Sequence, residues 1–346
     1  SSLMRALGIS FLFGMSSMSF AEIIMNPGSN QASLSWSSEE ANQLLNGDVS
    51  AAAYSENEPS PQGSTKVSTS IRSASGITLS APAKTVQIFD TGGYSHQPSV
   101  NARAALVMDG QTGEVLYSKN SNTAFPIASI TKLMTAVVIA DARLNMSENI
   151  TLQQIDFAGA GGKNSSSTLR AGDSMNRAEA LLFALMKSEN PAAAALARTY
   201  PGGRAAFVAA MNAKAKALGM NSSRYVESSG LDPRNVSSAR DLGILVNTAA
   251  QYGLIRQFST TPSYDFNLGY RVLKSNNTNA LVRNGGWNIN ISKTGYINEA
   301  GRCVVMHTTL NNRPAVVVLL GADTSAARTS DATRLMTWVT QLPKRI

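Results

Sequence analysis

Apolar residues change their spacing several times along the chain, and the changes mark out its elements. Ala104–Asp109 (AALVMD) is an unbroken apolar run closed by an acid, the pattern of a buried strand. Gly110-Gln111-Thr112-Gly113 reads as a turn, so Glu114–Ser118 should pair back as a hairpin. Ser129–Ala142 is apolar all round at helical length, which predicts a buried helix. Arg177–Met186, Pro191–Thr199, Gly203–Leu218 and Ala239–Tyr252 read as further helices. Then the period switches. Asn288–Ser292, Arg302–Leu310 and Pro314–Gly321 read as strands, the last two joined at Asn311-Asn312-Arg313, and a closing helix runs from about Ser325 to Gln341. Strands, helices, strands, helix is the order of an α+β fold: an antiparallel sheet covered by helices, with a helical subdomain inserted between the sheet's parts.

Before residue 101 the texture differs. Arg5 precedes an apolar run, Ala6 to Met15, and Ser19 and Ala21 flank Phe20 in a small-residue pattern. Residues 1–21 therefore read as an export signal cleaved after Ala21, the alternative being a retained N-terminal anchor. Either way the mature chain is expected to work outside the cytoplasm. Residues 22–100 are rich in Ser, Ala, Gly, Asn and Pro and hold neither period, with a short strand allowed near Thr85–Phe89. They bury too little apolar area to offset ordering entropy and read as a disordered linker. The folded domain is expected over 101–346.

Composition narrows the chemistry. Hydrophobic residues make up 43%, enough for a sizeable core, and the net charge is +8, with 101–346 strongly basic and 22–100 acidic. A basic body points to an anionic partner. Its cations are scattered with few aromatics between them and lie in no nucleic-acid motif, so an anionic envelope polymer suits them and nucleic acid is not expected. One cysteine, Cys303, forms no internal disulfide and no Cys-based zinc site, and two histidines, His96 and His307, are too few for a metal cluster. No metal or cofactor is expected. A Ser-His-Asp hydrolase would need His96 or His307 as its base, and neither lies in a motif.

Three short elements carry chemistry. In Ser129-Ile130-Thr131-Lys132, Phe125-Pro126 disfavours helix before the serine and the apolar run favours helix after it. Ser129 should then stand near a helix N-terminus with Lys132 on the same face. A serine hydroxyl needs a base to become a nucleophile, and a lysine among apolar neighbours gives up its proton more readily. The second element, Ser188-Glu189-Asn190, can aim a hydroxyl and an amide at one point. The third, Lys293-Thr294-Gly295 at the end of a strand-like run, offers a cation, a hydroxyl and room for close approach. Each alone is also an ordinary cap or turn. Together they are specific: Ser188 follows Ser129 by 59 residues and Lys293 follows Asn190 by 103, in the order S-x-x-K, S-x-N, K-T-G.

On these motifs, and on Pro126–Arg143, Leu185–Asn190, Tyr200–Met220 and Lys293–Met306, the chain resembles the low-molecular-weight penicillin-binding proteins, the serine D-Ala-D-Ala peptidases, over roughly residues 101–342. The resemblance implies a β-lactamase/transpeptidase-like fold. It implies that Ser129 is acylated by the D-Ala carbonyl with Lys132 as general base, and that Ser188 relays a proton to the leaving amine. Asn190 would hold the substrate amide, and Lys293 and Thr294 the substrate carboxylate, with Gly295 beside them. The N–H groups of Ser129 and Tyr296 would make the oxyanion hole. It also implies peptidoglycan stem peptides as substrate, β-lactams as covalent inhibitors, and a loose association with the envelope.

Only about fifty residues follow Lys293-Thr294-Gly295, where the family's carboxypeptidases add a stalk and an anchor. A periplasmic endopeptidase that cuts D-Ala–diaminopimelate cross-bridges is therefore expected. A carboxypeptidase, a β-lactamase and a non-catalytic peptidoglycan-binding scaffold are the alternatives. Glu189 is expected to be solvated, Asp241 to serve the start of its helix, Cys303 to be packed core, and Gly161 and Gly162 to mark a flexible loop.

Overall fold

A computed structural model describes residues 86–159 and 167–343 with their side chains, and the backbone of four short strands between residues 22 and 80. Residues 1–21, read as an export signal, lie outside the described residues, as do most of the Ser-rich stretch and Gly161 and Gly162.

The expected apolar runs form one six-stranded sheet. Its strands in chain order are β1 (Phe89–Asp90), β2 (Ala104–Asp109), β3 (Glu114–Lys119), β4 (Asn288–Ile297), β5 (Gly301–Leu310) and β6 (Arg313–Ala322). Across the sheet they run β4-β5-β6-β2-β3-β1. All neighbours are antiparallel except β1, which lies parallel to β3. The last strand to be made, β6, docks on the first long one, β2, from Ala315 opposite Asp109 to Leu320 opposite Ala104. The helical insertion is thereby held between two parts of a single sheet. Tyr94 packs edge-on against Trp338, so ordered packing begins some way before residue 101.

Between β3 and β4 come α1 (Thr131–Ala142), α2 (Arg177–Leu182), α3 (Asn190–Arg198), α4 (Gly203–Ala217), α5 (Ala239–Ala249), α6 (Gly253–Ser259) and α7 (Ala280–Asn284). After β6, α8 (Ser325–Thr340) closes the chain, with the Thr324 hydroxyl accepting from Ala327 N–H at its start. Strand alternation divides the sheet's residues between two cores. Leu106, Met108, Cys303 and Val305 face the helical insertion, and Val107, Val304, Met306 and Val317 face α8. All but one residue of α1 are buried, as its unbroken apolar pattern requires. Among the described residues no helix is long and apolar enough to cross a membrane.

Three boundaries move for physical reasons. The helix expected over Arg177–Met186 begins on a capping box, Asn176 with Glu179, but opens into a π turn at Phe183–Lys187. The helix expected over Ala239–Tyr252 stops at Ala249, and α6 starts afresh at Gly253. The strand expected over Asn288–Ser292 runs on to Ile297, because β5 zips onto it through Gly295, opposite Cys303. Lys293-Thr294-Gly295 therefore lies inside a strand, not at its end. The hairpin of Ser263–Asn267 with Val272–Asn276 has no counterpart in the sequence reading.

One ion pair inside the helical insertion is fully enclosed. Lys214 Nζ on α4 lies 2.7 Å from Asp141 Oδ2 on α1, and Tyr252 Oη donates to Asp141 Oδ1 at 2.5 Å. Burial pushes the Asp141 carboxyl up, against the opposing pull of Lys214. Replacing Lys214 by Ala leaves an unpaired buried carboxylate, so urea denaturation is expected to show a loss of about 3–5 kcal/mol.

Candidate active site

The chain enters the site as a short strand, Phe125–Pro126, paired with Val236–Ser237. Ala128–Ile130 then forms a 3-10 turn ahead of α1, so Ser129 stands before the α-helix proper. In such a turn residues i and i+3 come into line, which sets the Ser129 hydroxyl over the Lys132 side chain. Ala128 carries this turn in at φ 49°, a left-handed conformation costly for a residue with a side chain.

Lys132 is 0% exposed, and its amine sits within hydrogen-bond reach of three oxygens: Ser129 Oγ at 2.6 Å, Asn190 Oδ1 at 2.6 Å and Ser188 Oγ at 3.2 Å. Burial lowers its pKa to about 7, against the opposing fields of Glu227 and Glu189. A neutral amine there keeps two N–H donors and one lone pair, and the lone pair can accept the Ser129 proton.

Ser188 is positioned by the π turn. The wider turn ends the helix and leaves Ser188 at φ 62°, ψ 36°, with its hydroxyl between two lysines. Lys293 Nζ donates to Ser188 Oγ at 2.9 Å and to Thr294 O at 2.8 Å. Burial, then the nearby charges of Lys132 and Arg328, depresses the Lys293 amine well below the lysine range. Ser188 accepts from both amines and keeps its own proton free to donate. Pro191 in the first turn of α3 fixes the backbone just after Asn190. The Thr294 hydroxyl is bonded to that of Thr278 at 2.6 Å. Gly295 has a steric role: a Cβ there would come within 2.8 Å of Ser129 N, so only glycine lets β4 press against the 3-10 turn. All three motifs thus meet in one place.

Sequence reasoning missed the loop that clamps this turn. The Glu227 carboxylate accepts from Ser229 N–H and hydroxyl, Gly230 N–H and the Asn235 side-chain amide, at 2.5–2.6 Å. Asn235 O accepts from Ile127 N–H, and Ser228 O from the Thr135 hydroxyl, which tie the loop to the 3-10 turn and to α1. Gly230, at φ 93°, touches the Ala128 carbonyl so closely that a Cβ would fall 1.8 Å from its oxygen. In the sequence, Glu227–Asn235 looks like an ordinary turn-rich loop; the glycine is the one signal that pointed to a close approach. Arg328, at the start of α8, was missed too; it donates to Cys303 O at 3.2 Å.

Glu189 is a correction. It is not solvated but 5% exposed, with its carboxylate accepting from the Ser167 and Thr168 hydroxyls at 2.5 and 2.8 Å. Those hydroxyls replace the water that a lone carboxylate would need. Asp241 accepts from Ser222 N–H and the Ser223 hydroxyl at the start of α5. Cys303 is fully buried, and burial pushes its thiol up to about 11. His307 is buried at the far part of β5 against Asn290, its imidazole lowered to about 4 by burial. Beside Asn190 a cavity of about 350 Å³ opens between the helices, lined by Ser229, Glu227, Arg204 and Val208 among others.

The family described as D-alanyl-D-alanine carboxypeptidase matches residues 92–324. The chain is 45% identical to a D-alanyl-D-alanine endopeptidase of Pseudomonas aeruginosa over 277 residues, 78% of this chain and 85% of that protein. It is also 45% identical to the Escherichia coli protein of the same name, over 70% of this chain and 78% of the relative. The crystal structure of the Streptomyces K15 DD-transpeptidase superimposes with a TM-score of 0.65 at 27% identity, covering 71% of this chain and 99% of that one.

Replacing Gly230 by Ala forces the Ala128 carbonyl, and with it Ser129, out of place. Urea denaturation of the variant is expected to show a loss of about 1–3 kcal/mol, the cost of a side chain held at a left-handed φ, with the clash against the Ala128 carbonyl adding to it.

Proposed function

We propose, for a chain that belongs to the D-alanyl-D-alanine carboxypeptidase family of serine peptidases, the hydrolysis of D-Ala–diaminopimelate cross-links of peptidoglycan through a Ser129 acyl-enzyme. The observation that carries this reading is the buried Lys132 amine, 2.6 Å from Ser129 Oγ and with its pKa lowered to about 7. A base is thus poised at the nucleophile at neutral pH. The endopeptidase branch is supported by 45% identity to two proteins of that name, against 31% to a D-alanyl-D-alanine carboxypeptidase of Bacillus subtilis.

In this reading Lys132 takes the Ser129 proton as Oγ adds to the D-Ala carbonyl carbon. The N–H groups of Ser129 and Tyr296 receive the oxyanion, brought together by the close approach of Gly295 to the 3-10 turn. Collapse breaks the C–N bond, and the Ser188 hydroxyl, bonded to Lys132, passes the proton to the leaving amine. Water then adds to the ester, Lys132 takes its proton, and Ser129 recovers its own. The products are one stem peptide with a new carboxylate and one with a free amine. Asn190 holds the acyl-side amide, and Lys293 and Thr294 hold the carboxylate next to the leaving amine. Penicillin acylates Ser129 by the same steps, because its strained amide and carboxylate present the same groups. No metal or cofactor enters any step. Residues 1–21 serve as the signal for export to the periplasm and the Ser-rich stretch as a linker.

Digestion of purified muropeptides, resolved by mass, tests the reading. Cross-linked dimers are expected to fall to monomers, and Ser129→Ala is expected to abolish both this cleavage and penicillin labelling. Release of free D-Ala from pentapeptides with dimers left intact would overturn the endopeptidase assignment in favour of a carboxypeptidase. The rate of penicillin acylation is expected to rise with pH and level off above about 7, where Lys132 has lost its proton. A lysine at its ordinary value would keep the rate rising to about pH 10, so stopped-flow measurements between about pH 5 and about pH 9 separate the two.

A further inference from the structure

Beyond Lys293-Thr294-Gly295, the next residue of β4 carries a feature the reaction above does not use. The Tyr296 side chain is 45% exposed, and its hydroxyl is fixed by Asn298 Oδ1 at 2.8 Å. Arg302 stands directly opposite Tyr296 in the β4–β5 register and lays its guanidinium over the ring, with the central carbon 3.6 Å from the centroid. Alternation sets both on the α8 face of the sheet, with Thr294 and Val304. Among the described residues the buried Arg302 Nε has no hydrogen-bond partner, and no carboxylate pairs with Arg302.

Arg328 stands close to this pair: it donates to the carbonyl of Cys303, which neighbours Arg302 on β5 and lies opposite Gly295. Arg302 is one of the charges that lower the Arg328 guanidinium, after burial, and Arg328 in turn lowers Lys293. No salt bridge neutralises any of the three among the described residues. Cations without counter-charge are unfavourable in the free protein, and bound anions would offset that cost. One such anion, the carboxylate next to the scissile amine, is taken by Lys293 and Thr294. It leaves Arg302 without a counter-charge. The stacked guanidinium also suits a second carboxylate, because the ring occupies its face while its in-plane N–H groups meet no acceptor among the described residues. Tyr296 directly follows Gly295, whose backbone comes so close to Ser129 N that a Cβ would fall 2.8 Å from it, so the pair stands one residue along β4 from the nucleophile of the proposed reaction.

We propose that Tyr296 and Arg302 form a subsite for a second carboxylate on the leaving stem peptide, one that released D-Ala does not possess. The inference rests on the endopeptidase reading and names what would favour cross-linked over monomeric substrate.

The test compares two cross-linked dimers with the full chain. One has free carboxylates; in the other every leaving-stem carboxylate is amidated except that beside the scissile amine. Amidation is expected to lower the wild-type kcat/KM by about tenfold, mainly through KM, as for the loss of one charge-assisted hydrogen bond. Arg302→Gln is expected to lose a similar factor on the free-carboxylate dimer and to become indifferent to amidation. Its acylation by penicillin, which has no leaving stem, should stay within about twofold of wild type. A variant as sensitive to amidation as wild type, or one that loses penicillin acylation in proportion to dimer cleavage, overturns the subsite. Failure of the wild type to cleave either dimer would instead sink the endopeptidase reading. Calorimetric binding of the cleaved leaving stem then decides the subsite alone: binding about tenfold weaker to Arg302→Gln supports it, and equal binding overturns it.

Discussion

The removal of the Lys132 amine from water organises the rest of this structure. An ammonium in that position would be costly to bury, and the fold resolves the cost by lowering its pKa and surrounding it with three oxygens, from Ser129, Ser188 and Asn190. Those oxygens come from two elements, the 3-10 turn before α1 and the turn between α2 and α3. Neither element can shift without exposing the amine or stripping it of a partner. The requirement explains why uncommon backbone conformations collect here: Ala128 and Ser188 both take positive φ, and the helix before Ser188 opens into a π turn.

The sheet supplies the second half of the constraint. Lys293 reaches the same Ser188 hydroxyl from β4, an edge strand whose position depends on β5, then β6, then β2. The packing of β6 against β2 therefore acts at a distance on the separation of two lysines. Between the two halves, Gly295 and Gly230 are the positions at which backbone meets backbone without room for a side chain. The Glu227 loop adds a carboxylate whose field opposes the loss of charge from Lys132 and whose hydrogen bonds hold the turn in place. One loop thus takes part both in the tuning of the amine and in the placing of the serine.

Arg328 and Arg302 add positive charge to the surroundings of Lys293, Arg328 directly and Arg302 through Arg328. Lys132 and Lys293 can shed charge when buried; the two guanidiniums cannot, and they remain charged on the Tyr296 ring and at the Cys303 carbonyl. The scattered basic residues of the sequence thus acquire an order that spacing along the chain does not express: Lys293, Arg302 and Arg328 belong to three elements, β4, β5 and α8.

Much of this was legible in the sequence. The alternation of strand and helix patterns predicted the sheet, its insertion and its closing helix, because burial on one face or all round leaves a period that needs no partner to be read. The three motifs placed Ser129, Lys132, Ser188, Asn190 and Lys293 for the same reason, since each is a short local spacing. The sequence did not reveal that Glu189 is enclosed by Ser167 and Thr168, that Glu227–Asn235 is a clamp, or that Tyr296 carries Arg302 on its ring. Nor did it reveal the full length of β4, whose strand continues through a glycine because β5 pairs with it. Each of these depends on which distant backbone or side chain arrives alongside. Local periodicity encodes which surfaces must be buried; only the assembled fold decides what they are buried against, and so which charges lose their water.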